Sequence, residues 1–176
     1  MTIRPERKPL YDGLADYIRA NFVKDNQVQW GEVSTHFNVM YVEDRRFITG
    51  LGGMVKLSDG TLRPYVGVPI AEDFTVMHLL IAHEFGHVFG GHYALLPDSE
   101  VEDEANYFAK ALYGRCLEKT DLINLRQILG KRFPFLNWDI KIDPVKFMRP
   151  VLDEIVDARL LEEEKERLKK WETKKD

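Results

Sequence analysis

His83-Glu84-Phe85-Gly86-His87 stands near the end of the apolar run 74–90. A helix turns about 100° per residue, so side chains four apart share one face, about 6 Å apart along the axis. His83 and His87 therefore point the same way, at a spacing with which two imidazoles hold one divalent cation, most often zinc. Glu84 need not be a ligand; beside such a site it would orient a water molecule and take its proton. The competing reading is a chance match on a core helix. Met77, Leu80, Ile81 and Val88 supply that helix's buried surface. Glu72 and Asp73 place negative charge where it begins, as its dipole favours, and Gly90-Gly91 ends it. Gly86 lets another element approach the histidine face closely.

Around this helix lies a chain of ordinary globular composition. It has 176 residues, 44% hydrophobic and 31% charged, with a net charge of −4. That balance offers no global case for binding nucleic acid or a membrane surface. No apolar run approaches a membrane span, the charged stretch 1–8 lacks an apolar signal core, and Cys116 has no internal partner for a disulfide. These features point to the cytoplasm.

Before the metal helix, Leu10, Leu14, Ile18 and Phe22 form the apolar stripe of a first helix. Trp30, Val33 and Phe37 suggest a shorter second one, with Asn38 as a left-handed stop; His36 on it is assigned no role. Residues 39–42 read as a strand and Gly50-Leu51-Gly52-Gly53 as a flexible break. Residues 54–57 and 62–68 form a hairpin about Asp59-Gly60, with Pro64 arguing for an edge on its side. The simple role of this small antiparallel sheet is to cover the helices. Its functional role would be to offer one edge to an extended peptide.

A third ligand has to come from elsewhere. In the pattern H-E-x-x-H-x-x-G-x-x-H, Gly90 fills the glycine position, but Tyr93 stands where the third histidine belongs and His92 is one residue early. His92 is read instead as a supporting or surface residue, and His78 lies on another face of the helix. Pro97-Asp98-Ser99 then starts a helix with the apolar stripe Val101, Ala105, Phe108 and Leu112. With Val101 as reference, Glu102 lies about 100° to one side and Glu104 about 60° to the other. Periodicity leaves both as candidates. Asn106, four residues after Glu102, is placed to hydrogen-bond a ligating histidine. Against metal binding, Ser99-x-x-Glu102 also matches a capping box.

His83-Glu84-Phe85-Gly86-His87 followed by Glu102-Asp103-Glu104-Ala105-Asn106-Tyr107-Phe108-Ala109 resembles the ImmA/IrrE-type metallopeptidases, whose pattern is H-E-x-G-H and then E-x-x-A-N/D-x-F-A on the next helix. The likeness extends more loosely from the first helix to about Leu112. It implies a gluzincin-like site: one zinc ion held by His83, His87 and Glu102, with Glu84 as catalytic base and Asn106 supporting a ligand. It implies a protein substrate, often a helix-turn-helix repressor of a mobile element. The chain departs from the family pattern at His78, where an arginine is common, and at Leu112-Tyr113-Gly114-Arg115, where Leu-Leu-Met-Pro is typical.

Further on, 121–129 reads as a short helix with Leu122, Leu125 and Leu129 inward and Gly130 as its stop. Residues 133–138 form an apolar loop, Asp143-Pro144 caps a helix, and 151–171 is a charged helix with one packed stripe. The expectation is an α+β fold: a mostly helical, zincin-like domain over 1–143 with a small antiparallel sheet, and a helical extension over 144–176. The function expected is zinc-dependent peptide hydrolysis, without membrane or direct nucleic-acid binding. The alternatives are a catalytically silent metal sensor or partner-binding protein, and a structural protein with a fortuitous H-E-x-x-H. Tyr93, His92, Tyr107 and Tyr113 are the candidates for steadying an oxyanion.

Overall fold

The computed structural model describes residues 3–56, 60–92, 99–132 and 144–172. The fold is α+β. In order come helix α1 (Lys8–Phe22), strands β1 (Val23–Lys24) and β2 (Gln27–Val28), α2 (Trp30–His36), β3 (Met40–Glu43), β4 (Leu51–Lys56), β5 (Leu62–Val68), α3 (Phe74–Phe89), α4 (Ser99–Tyr113), α5 (Lys119–Arg132) and α6 (Pro144–Glu172). None of these helices is long and apolar enough to cross a membrane. The loop 133–138 lies outside the described residues.

The sheet is mixed rather than wholly antiparallel. β4 and β5 form the expected antiparallel hairpin, with Gly60 at φ 85°, but β3 lies parallel to β5, giving the order β3-β5-β4. The reason is burial on both faces. Tyr65, Val66, Gly67 and Val68 are all buried, and so continuous a run belongs in the centre of a sheet. Pro64 tolerates that position because β3 first pairs at Tyr65, one residue later. Val66 and Val68 face the helices of the main core, whereas Met40 and Tyr65 pack with Leu152 and Val156 of α6. The sheet is thus covered by α3 on one face and by the first half of α6 on the other. Beyond Leu160 the side chains over 161–170 are exposed, Leu161 and Leu168 by about half.

Several elements differ from the sequence expectation. The buried stripe of α1 is Tyr11, Ala15, Ile18 and Phe22, with Leu10 exposed. The stripe is rotated because the Tyr11 ring packs on Phe108 and its hydroxyl bonds Glu104. Leu51-Gly52-Gly53 is no flexible break but the start of β4, an edge strand seated on α3. A short hairpin, β1–β2, also follows α1, turned by Asp25 and Asn26 at φ 51° and 60°. Asn38, at φ 53°, makes the left-handed stop expected after α2. In α5, Leu125 and Leu129 face inward with Asp121, while Leu122 is exposed and the helix runs past Gly130 to Arg132.

Helices α3 and α4 pack antiparallel. His78 meets Tyr113, His83 meets Asn106 and His87 meets Glu102. Gly86 makes this approach possible, as its sequence position suggested: a Cβ there would lie 2.7 Å from Ala105 Cα.

Candidate metal centre

The site is built on α3. Asp73 caps its first turn by accepting the Val76 N–H at 3.1 Å. Two and a half turns later His83 and His87 emerge side by side, their Nε2 atoms 3.1 Å apart. Glu102, from the first turn of α4, reaches both: Oε2 is 3.3 Å from His83 Nε2 and Oε1 is 3.4 Å from His87 Nε2. The carboxylate therefore faces the histidines and does not fold back on Ser99 as a capping box would. The histidines are buried and Glu102 is half-exposed, so the cluster opens to solvent on the α4 side.

The chemistry of these donors fits a divalent cation. His83 Nδ1 lies 3.0 Å from Asn106 Oδ1. An amide oxygen only accepts, so His83 carries a proton on Nδ1, which leaves Nε2 as the nitrogen able to bind an ion. Two nitrogen ligands about 2.05 Å from one tetrahedral zinc are about 3.3 Å apart, near the separation seen between His83 and His87. The electrostatics agree. Burial works against charge on His83, yet the hydrogen bond to Glu102, the charges of Glu84 and Glu102 and the contact with Asn106 together outweigh it and raise its pKa. Burial and then the neighbouring His83 push His87 down to about 3. Hydrogen bonding to His83 holds Glu102 below the usual carboxylate range. The cluster thus favours a cation beside the ionised Glu102 carboxylate while keeping His87 neutral. His83, His87 and Glu102 form a group able to hold a metal ion.

Glu84 faces β4. It is buried, and the strand reaches it only through glycines. A Cβ at Gly50 would lie 2.1 Å from Glu84 Oε1, and one at Gly52 2.2 Å from the Glu84 carbonyl oxygen. Burial raises the Glu84 carboxyl to about 7, helped by the Glu102 charge and opposed by His83 and the Gly52 N–H. The glycines of 50–53 carry this signal in the sequence, but only the packed helix reveals what they make room for.

Other candidates from the sequence are engaged elsewhere. Glu104 is fully buried and bonds Arg4, Tyr11 and His92 rather than the cluster. His92 is buried against His87. Tyr107 donates to Asp12 at 2.8 Å, and the Tyr113 hydroxyl lies 3.1 Å from His78 Nδ1, which also accepts from Trp30. Tyr93 lies outside the described residues. A cleft of about 340 Å³ between the start of α3 and the end of α4, lined by Phe74, His78 and Tyr113, contains none of His83, Glu84, His87 and Glu102. The polar support that sequence reasoning missed is Arg4, Tyr11 and Glu104 behind His92. No family model, curated protein or solved structure matches this chain.

Proposed function

We propose that this chain is a zinc-dependent endopeptidase of the ImmA/IrrE kind, cytoplasmic, cleaving a regulatory protein such as a helix-turn-helix repressor. One observation carries the reading: three metal donors, His83, His87 and Glu102, converge where α3 meets α4, with the buried Glu84 next in the chain after the first of them. His83, His87 and Glu102 would hold the ion. When bound, zinc supplies Lewis acidity that polarises a carbonyl and brings the ionisation of water near neutrality. Glu84 takes the proton of the attacking water and returns it to the leaving amine, and a pKa near the working pH suits both transfers.

The burial of Glu84 beneath β4, with the Gly52 N–H on its carboxylate, favours the second reading, a metal-binding protein without catalysis. Two measurements separate the readings: zinc stoichiometry of the purified protein, and cleavage of candidate repressors by wild type and Glu84→Gln. One zinc per chain with Glu84-dependent cleavage supports the peptidase. Zinc with equal cleavage by both proteins removes Glu84 from the mechanism, and absence of zinc removes the metal centre.

A further inference from the structure

Each histidine of the candidate centre has its own partner on the far side of the ring. For His83 it is Asn106. For His87 it is His92, whose Nδ1 lies 3.0 Å from His87 Nδ1. His92 Nε2 in turn lies 3.0 Å from Glu104 Oε2, and Glu104 also accepts from Tyr11 Oη at 3.2 Å and from Arg4 Nε. A buried carboxylate this well supplied with donors is an anchor. One arrangement of protons satisfies the whole row. Glu104 only accepts, so His92 Nε2 carries a proton and donates it. Neutral His92 then presents a lone pair at Nδ1. His87 Nδ1–H donates to that lone pair, and His87 Nε2 is left unprotonated, facing His83 and Glu102.

The surroundings hold His92 in place for this task. Its N–H donates to the His87 carbonyl at 2.9 Å, and its carbonyl accepts the Met54 N–H at 3.0 Å. Gly90 clears the space. Its φ of −73° is ordinary helical backbone, so no conformational demand explains the glycine. A Cβ there would sit 2.4 Å from His92 Nε2 and 2.5 Å from Tyr11 Oη. Any side chain at position 90 would enter the row itself.

We propose that His92 is a positioning residue that fixes the tautomer and orientation of His87, with Glu104, clamped by Arg4 and Tyr11, as its anchor, so that residues at the start of the chain help to set metal affinity. The proposal rests on the metal reading above. The test is the zinc affinity of the full chain, measured by competition with a chelator of known strength, with the thermal unfolding of the metal-free proteins alongside. His92→Phe keeps a ring but removes the acceptor, and affinity should fall about 10- to 100-fold, the usual effect of losing such a partner. His92→Asn keeps an acceptor where Nδ1 stands. It should recover most of the affinity although it fills the site less well and melts lower. A role in packing alone would rank the two variants in the same order for both measurements. Gly90→Ala, which leaves every polar group present but displaces the ring, should lose at least tenfold, and it serves as the test if His92→Phe does not fold. Wild-type affinity in His92→Phe or Gly90→Ala, or equal loss in the Phe and Asn variants, would overturn the proposal while leaving the metal centre standing. A wild-type protein that binds no zinc would overturn both.

Discussion

Replacing Gly52 by alanine should force α3 and β4 apart. The added Cβ would lie 2.2 Å from the Glu84 carbonyl oxygen and 2.8 Å from Glu84 Cα, so the two elements must separate by roughly 1 Å to reach an ordinary contact of 3.4 Å or more. Both sides of the clash are main chain, so no rotamer change relieves it. Overpacking a core by a methylene costs about 1–3 kcal/mol, and with backbone on both sides the upper end applies, about 3 kcal/mol. For a domain of this size each kcal/mol shifts Tm by about 2–4 °C, which gives a drop of roughly 6–12 °C. Gly13→Ala is the control. It lies inside α1 with nothing within 4 Å of its added Cβ, so alanine should stabilise by about 0.5–1 kcal/mol through helix propensity. The assay is thermal unfolding by circular dichroism after metal removal, so that ligand binding does not shift the midpoints. A Gly52→Ala protein that melts with wild type would mean that β4 does not rest on α3 at Glu84, and the placement of Glu84 under the edge strand would be wrong. Any cleavage activity should fall as well, since a displacement of about 1 Å near reacting groups can cost about 100-fold.

On the proposed peptidase reading, Glu84→Gln should fold and bind zinc like wild type while hydrolysis drops at least ~100-fold, the loss expected for a general base; an unchanged turnover number rules out that role. Asn106→Ala should weaken zinc binding about 10- to 100-fold by releasing His83 Nδ1, measured by chelator competition; full affinity would show that the contact is incidental. Deleting residues 162–176 removes an exposed helix end and the Arg63–Glu163 pair, which as a surface ion pair contributes about 0–1 kcal/mol. Zinc content and most thermal stability should survive, whereas aggregation of the truncated protein would show that this end covers core. Asp121 gives a pH test. The Arg115 guanidinium holds its carboxyl below the usual 3.8, with burial opposing and the Glu118 N–H assisting. A depressed native pKa means that the contribution is complete above the unfolded value and is lost as pH falls through the native one. The stability difference between wild type and Asp121→Asn in urea unfolding should be constant above about pH 5 and shrink below about pH 4; a difference that persists unchanged to the lowest measurable pH refutes the ion pair.

What the sequence determined by itself is local. The shared face of His83 and His87 follows from the 3.6-residue period, and their Nε2 atoms do meet. The left-handed stop at Asn38, the positive φ at Gly60 and the start of α6 at Pro144 follow from the preferences of single residues. Gly86 advertised a close approach because a missing side chain on a ligand face has few other uses, and Ala105 fills the gap.

What only the tertiary structure decided is which faces meet. Glu102 and Glu104 flank the stripe of α4 at comparable angles, and periodicity cannot choose between them. The antiparallel docking of α4 on α3 turns Glu102 to the histidines and sends Glu104 inward to Arg4, Tyr11 and His92. The same holds for α1, whose buried face was rotated by the pull of Tyr11 toward Phe108 and Glu104, and for β3, whose parallel pairing depends on β5 taking the centre of the sheet. Gly50 and Gly52 looked like flexibility because their neighbours in sequence make no demand on them; the demand comes from Glu84, more than thirty residues on. Backbone preferences and side-chain period are short-range energies and are written in adjacent residues. The choice among equivalent faces is made by burial and hydrogen bonding between segments distant in the chain, and those contacts exist only once the helices and the sheet have packed.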